Sequence, residues 1–213
     1  MEAVNKWVDA EWAERYLRDR GQIPHRMEGY AVVLELLAER VTRVLDLGTG
    51  DGYTLGLVLG ARPEAHGFGI DFNPEMLKQA RARFEHERAS VQIIDHNLDE
   101  PLPAQLGTFD VVVSSFAIHH CAPDRQHALY AEVFNALEPG GVFINLEHVD
   151  SATPELHTEF LDAIGVQAQD DDPSNQLVRP EVQLEWLRGI GFTNVDCMWR
   201  WRELALLSGH RPE

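Results

Sequence analysis

Val44-Leu45-Asp46-Leu47-Gly48-Thr49-Gly50-Asp51-Gly52 is the stretch on which the reading of this chain turns. Arg43 to Leu47 form an apolar, strand-like run, and a helix-like stretch follows over 52–60. A glycine-rich turn between the two brings main-chain N–H groups close to a ligand, and the following helix N-terminus adds positive potential. A dinucleotide turn would place its third glycine at position 53, which is Tyr53. Asp46 lies two residues before the first glycine. A carboxylate there can hold the loop through main-chain N–H groups and offset a cationic amino or sulfonium group, but it would repel a pyrophosphate. The loop therefore suits a zwitterion better than a diphosphate.

Outward from this turn the chain alternates. Strand-like runs lie at 67–70, 91–94, 109–114 and 142–146, and helix-like stretches at 74–86 and 124–137. Strands separated by helices imply βαβ crossovers and a mainly parallel sheet covered on both faces. Two helical patterns, 4–18 and 26–39, precede the first strand. After residue 149 the rhythm breaks into a segment carrying the acidic run Asp170-Asp171-Asp172. Its first part, ELHTEFLDAIG, reads as a helix ending at Gly165. A further helix starts at Pro180 and stops at Gly191. The last runs, FTNVDCMW and ELALLSG, are close enough that they must pair as an antiparallel hairpin. The expected organisation is a single domain over 1–213. It comprises an N-terminal helical lid (1–40), a cofactor-binding core (41–149), a cap insertion (150–180), and a C-terminal helix with β-hairpin (181–213).

The second strand ends GFGIDFNPEM, with Asp71 at its tip. In open α/β sheets ligands bind at the carboxyl ends of the strands, where an acidic residue accepts ribose hydroxyls. Phe72 and Met76 can cover the faces of an adenine ring. Asp95-His96-Asn97-Leu98, after the third strand, can meet the adenine edge.

Residues 43–146 resemble the catalytic core of the class I S-adenosylmethionine-dependent methyltransferases. VLDLGTGDG matches the first motif of that family, GIDFNPEMLKQAR the acidic second, FDVVVSSFAIHH the fourth-strand motif, and LEPGGVF the approach to the fifth strand. The resemblance implies a Rossmann-like, doubly wound α/β sheet of seven strands in the order 3-2-1-4-5-7-6, strand 7 antiparallel. It implies S-adenosyl-L-methionine as cofactor and S-adenosyl-L-homocysteine as product. By position, Gly48, Thr49, Gly50 and Gly52 would cradle the methionine part and Asp71 the ribose. Asp95, Asn97 and Leu98 would border the adenine, and Ser114 would lie near the amino group. Leading helices in this family fold over the cofactor, which adds Tyr16, and Arg26 can supply the counter-charge for the cofactor carboxylate. The whole chain is most similar to the bacterial small-molecule branch.

His119 and His120 follow the fourth strand, and Glu147 and His148 end the fifth. Histidine titrates near neutrality and can take a proton from an acceptor hydroxyl or amine, so these four are the candidate catalytic residues. The segments SSFAIHH and NLEHV do not supply the carboxylate-rich set of a magnesium-dependent enzyme, so no metal is expected.

Charge narrows the partners. The 213 residues hold 18 basic and 35 acidic side chains, a formal charge of −17. Such a surface repels phosphate backbones and anionic lipid, so a small-molecule acceptor is expected, with no nucleic acid and no membrane. Two cysteines exclude a disulfide scaffold. Glu2, Lys6 and Asp9 are unlike a signal peptide, and a cytoplasmic monomer or homodimer is expected. Rival readings are a tRNA or rRNA methyltransferase, a nicotinamide-dependent oxidoreductase and a non-catalytic cofactor-binding module. The first is disfavoured because Ser114-Ser115-Phe116-Ala117 replaces the proline-rich motif of amine-methylating nucleic-acid enzymes, and the second by Tyr53 and Asp46.

Overall fold

The protein is described from a computed structural model over residues 23–86 and 90–213. One sheet contains β1 (Arg43–Leu47), β2 (His66–Asp71), β3 (Val91–Asp95), β4 (Phe109–Ser115), β5 (Leu137–His148), β6 (Thr193–Trp201) and β7 (Leu204–His210). Their order is β3-β2-β1-β4-β5-β7-β6, as the resemblance implied. The first five are joined in parallel, and β7 runs antiparallel to both β5 and β6. Six α-helices occur among the described residues: α1 (Arg26–Glu35), α2 (Tyr53–Ala61), α3 (Pro74–Arg83), α4 (Pro123–Ala136), α5 (Pro154–Ile164) and α6 (Pro180–Ile190). The helical pattern at 4–18 lies outside the described residues.

The run Val111-Val112-Val113 shows why the sheet is covered on both faces. Successive strand residues point to opposite sides. Val111 and Val113 pack with Tyr30, Val33, Leu55 and Val58 of α1 and α2, whereas Val112 packs with Leu129, Tyr130, Val133 and Leu187 of α4 and α6. All three valines are fully buried. Each contributes roughly 1.5–3 kcal/mol through the water it no longer meets, and a polar residue at any of them would face a helix.

Local signals set the helix ends. Asn73 caps α3 by accepting from the N–H groups of Glu75 and Met76, with Pro74 in the first turn and Arg81 and Arg83 in the last. Thr153 caps α5, and Gly165 ends it at φ 73°. Two boundaries differ from the sequence reading. The first described helix stops at Glu35, and β5 begins at Leu137 because that residue pairs with Phe109 ahead of a register shift.

In-register parallel pairing brings the carboxyl ends of the strands to one edge. Leu47 lies beside Ile70 and Ser114, Asp71 beside Asp95, and Ser115 beside Leu146. The cleft opens along this edge.

Candidate active site

The cleft, counted with the open solvent at its mouth, spans about 850 Å³ and runs from the loop after β3, past the glycine turn, to the segment after β4. The glycine turn is held by its own main chain. The N–H of Thr49 donates to the Ile70 carbonyl at 2.9 Å, and that of Gly52 to the Thr49 carbonyl at 2.8 Å. Gly48 has φ +66° and passes so close to the β4 loop that a Cβ would stand 2.2 Å from that of Ala117. At Gly50, φ +55°, a Cβ would meet only the Met76 sulfur, at an ordinary contact distance of 3.9 Å. Gly48, Thr49 and Gly50 line the cleft together with Asp51. Gly52 does not line it. A Cβ there would strike the Phe84 ring at 2.5 Å, so this glycine serves packing between α2 and α3.

Asp46 departs from expectation. It is fully buried beneath the turn, ties the loop through the Thr49 hydroxyl at 2.7 Å rather than through loop N–H groups, and does not line the cleft. Burial pushes its carboxyl up to about 7, against the Thr49 hydrogen bond.

Asp71 lines the cleft and stitches two turns together. One carboxylate oxygen accepts from the Gly50 N–H at 2.8 Å, the other from the Asn73 N–H at 2.9 Å. Burial raises its carboxyl above the usual range, and these two donors oppose the rise. Phe72 and Met76 line the same end, as do Asn97 and Leu98. Asp95 is exposed and outside the cleft, because strand alternation turns it outward and the His96 N–H then closes the chain onto the Asp71 carbonyl at 2.9 Å. His96 and Asp99, which the sequence reading did not single out, form the wall instead.

Beyond the glycine turn the same alternation separates two serines. Ser114 is buried and donates to the Leu47 carbonyl at 2.9 Å, away from the cleft. Ser115 lines it, 3.0 Å from the Tyr30 hydroxyl. Arg26 donates to that hydroxyl through Nε at 3.2 Å and Nη2 at 3.1 Å, and lies 4.3 Å from the Phe116 ring centroid. Arg26, Tyr30 and Phe116 all face the cleft, and Phe116 holds φ +53°, a region that disfavours side chains. Tyr16 lies outside the described residues.

Of the four candidate catalytic residues only His120 lines the cleft. His119 and Glu147 are buried behind it. The Glu147 carboxylate accepts from His119 Nδ1 at 2.5 Å, the His119 N–H at 3.1 Å and the His148 N–H at 2.9 Å. Burial pushes Glu147 up to about 7 and, with His148 nearby, drives His119 well below its ordinary value. The His120 ring lies 4.0 Å from that of His119, tilted by 45°, and is pushed down to about 3 by burial and by that neighbour. Burial therefore keeps both imidazoles neutral at neutral pH and makes them weaker proton acceptors than a free histidine. His148 bonds Glu203 at 2.9 Å. No residue of 150–179 lines the cleft; this segment braces the wall from behind, with the Gln176 N–H on the His119 carbonyl at 2.8 Å and Ser174 Oγ 3.3 Å from His120 Nδ1. Among the described residues, no group of three or more His, Cys, Asp or Glu could hold a metal.

A family model described as "Methyltransferase domain" matches residues 44–141, which spans every strand-end loop around the cleft up to the entry of β5. Residues 44–141 are a methyltransferase domain. The chain is 25 % identical over 191 residues to a carboxy-S-adenosyl-L-methionine synthase from Desulforapulum autotrophicum, covering 81 % of this chain and 76 % of that one. It is 39 % identical over 106 residues to a demethylmenaquinone methyltransferase from Thermus thermophilus, covering 49 % and 46 %. A tRNA U34 carboxymethyltransferase from Cellvibrio japonicus is 28 % identical over 193 residues, with 87 % and 52 % covered. An O-methyltransferase family protein from Burkholderia thailandensis shares the fold, with a TM-score of 0.75 at 20 % identity over 98 % of this chain and 62 % of that one.

The cofactor of this methyltransferase family is S-adenosylmethionine, and the cleft fits it. A glycine with room for a ligand where a Cβ would stand, a carboxylate fixed at the tip of β2, and the apolar surfaces of Phe72, Met76 and Leu98 lie side by side.

Proposed function

We propose that this chain transfers a methyl group to a small-molecule acceptor. The observation that carries the reading is the Asp71 carboxylate, fixed by Gly50 and Asn73 beside a glycine turn at one end of a cleft whose other end is aromatic and histidine-bearing. Gly48, Thr49 and Gly50 would hold the methionine part of the cofactor, Asp71 the ribose, and Phe72, Met76, Asn97 and Leu98 the adenine. Arg26 would face the cofactor carboxylate. When bound, S-adenosylmethionine supplies a methyl group on an already activated sulfonium, so the protein has chiefly to align and exclude water. Tyr30, Ser115 and Phe116 would form the wall against which the acceptor lies. His120 would meet the acceptor, with the His119–Glu147 pair directly behind it to receive a proton when the accepting atom carries one.

The small-molecule reading is supported by the cleft's own charges. Among the described residues, Asp51, Asp71 and Asp99 line it against one lysine or arginine, Arg26, on a chain of net charge −17. Repulsion of that kind opposes a polyanionic substrate. The fourth-strand segment also lacks the motif of the amine-methylating nucleic-acid enzymes.

Calorimetric titration with S-adenosylhomocysteine tests the cofactor half of the proposal. Micromolar binding should weaken about tenfold or more in Asp71→Ala and stay unchanged in Asp95→Ala. Mass-spectrometric screening for methyl transfer, with small-molecule extracts and tRNA in parallel, tests the acceptor half. Transfer to tRNA alone would overturn it.

A further inference from the structure

Glu203 sits in the turn between β6 and β7, is fully buried, and belongs to none of the motifs around the cleft. Three elements converge on its carboxylate. His148 Nε2, at the end of β5, approaches Oε2 at 2.9 Å. The Ser151 hydroxyl, in the connection that follows, donates to Oε1 at 2.5 Å, and His157 Nδ1, on α5, reaches the same oxygen at 2.9 Å. The main chain adds a bond from the Val149 N–H to the Glu203 carbonyl at 2.8 Å. The contacts then continue outward, with His157 Nε2 3.4 Å from Asp171. From Asp172 the path returns inward, because the Ser174 hydroxyl bonds Asp172 at 2.8 Å and faces His120.

We propose that Glu203 is a latch, a positioning residue that clamps segment 150–179 onto the strand ends and so assembles the wall behind His119, His120 and His148. Only the consequence for turnover rests on the methyl-transfer reading; the latch itself is measured without an acceptor.

The charges around the latch give it a pH dependence. His148 faces Glu203 from β5 and His157 from α5; Asp171 faces His157 from the following loop. Glu147 lies beyond His148, and Arg202 is drawn off to Glu159 of α5 at 3.1 Å. Burial alone would lift the Glu203 carboxyl, but the His148, Ser151 and His157 donors hold it below the usual range. Burial alone would lower His157, but Glu203 and then Asp171 raise it. The carboxylate part of the clamp is therefore present above the ordinary value of 4.5 and lost as pH falls through a lower one. The imidazolium part is complete below 6.5 and lost as pH rises through a higher value. The latch holds hardest in mildly acidic solution and loosens toward alkaline pH.

Hydrogen-exchange mass spectrometry on the full chain tests this at about pH 6 and about pH 8.5, after correction for intrinsic exchange. Protection of 154–178 should fall at the higher pH while β1–β4 stay unchanged. Glu203→Gln should lose protection in that segment about tenfold or more at both pH values. His157→Gln should match the wild-type protein at high pH and lose the pH step; it and Ser151→Ala keep the proposal testable if Glu203→Gln does not fold. Wild-type protection of 154–178 in Glu203→Gln, loss spread equally over every strand, or a pH step that survives in His157→Gln would overturn the latch. S-adenosylhomocysteine affinity, measured on the same samples, separates this outcome from failure of the methyl-transfer reading.

Discussion

At the β1–β2 end of the cleft the polar contacts run through the main chain: Gly50 and Asn73 donate to Asp71, and Thr49 donates to Ile70. At the β4–β5 end they join pairs of side chains, His119 to Glu147, His148 to Glu203, and Tyr30 to Ser115, with the main-chain N–H groups of His119 and His148 also on Glu147. A main-chain site depends on backbone conformation, so it tolerates little change in the glycines. A side-chain site depends on protonation and on distant elements meeting correctly. On the function proposed above, the first end would hold the cofactor and the second would meet the acceptor, so exchange of a few side chains there would change the acceptor alone.

The largest effect should come from Gly48→Ala. Its φ of +66° disfavours a side chain and its new Cβ would meet Ala117, at a cost of about 2–4 kcal/mol. S-adenosylhomocysteine affinity should fall about 100-fold or more. Gly52→Ala, whose obstacle is Phe84, should destabilise the fold in denaturant titrations but lower affinity far less. Equal losses of affinity in the two variants would break the distinction between loop geometry and packing.

Next comes Glu147→Gln. The carboxylate accepts from three N–H donors, and an amide cannot satisfy them all, so stability should drop by about 1–3 kcal/mol. Methyl transfer should fall about 100-fold or more if the acceptor must lose a proton, with S-adenosylhomocysteine affinity within about threefold of wild type. A loss of affinity comparable to that of Gly48→Ala would mean that the two ends are not independent.

The smallest effect distinguishes the ends by pH. Asp46 and Glu147 both have carboxyls pushed up to about 7. The folded state then holds protons that the unfolded chain has released, so stability falls as pH rises from about 4 through 7. Asp46→Asn should flatten part of that fall, gaining about 1 kcal/mol over wild type at pH above 7 relative to acid. Thermal melts at both extremes read the difference; an unchanged slope would show that Asp46 does not carry it.

The strand edge was readable from sequence because each of its landmarks ends an apolar run. Leu47 before the glycines, Asp71 after GFGI and Ser114 after DVVV all lie at such ends. Reading the side-chain direction was harder. Ser114 and Asp95 were each one residue from the position that faces the cleft, since a one-residue step in a strand reverses the side chain. Gly52 looked like a third cradle glycine, but its neighbour Phe84 lies 32 residues later and is brought there only by folding. Glu203 carried no local signal at all.

The sequence by itself determined the alternation of strands and helices, the glycine turn and the C-terminal hairpin, because hydrophobic periodicity and turn chemistry act over a few residues and are written in consecutive letters; the order of the strands came only from the resemblance of its motifs to a known family. Only the tertiary structure decided that Asp46 lies under the cleft and not in it, that Ser115 and His96 face it, and that His148 and His157 share one buried carboxylate. Those outcomes depend on which distant groups burial brings within hydrogen-bond reach, and the short-range patterns of the chain do not encode that distance.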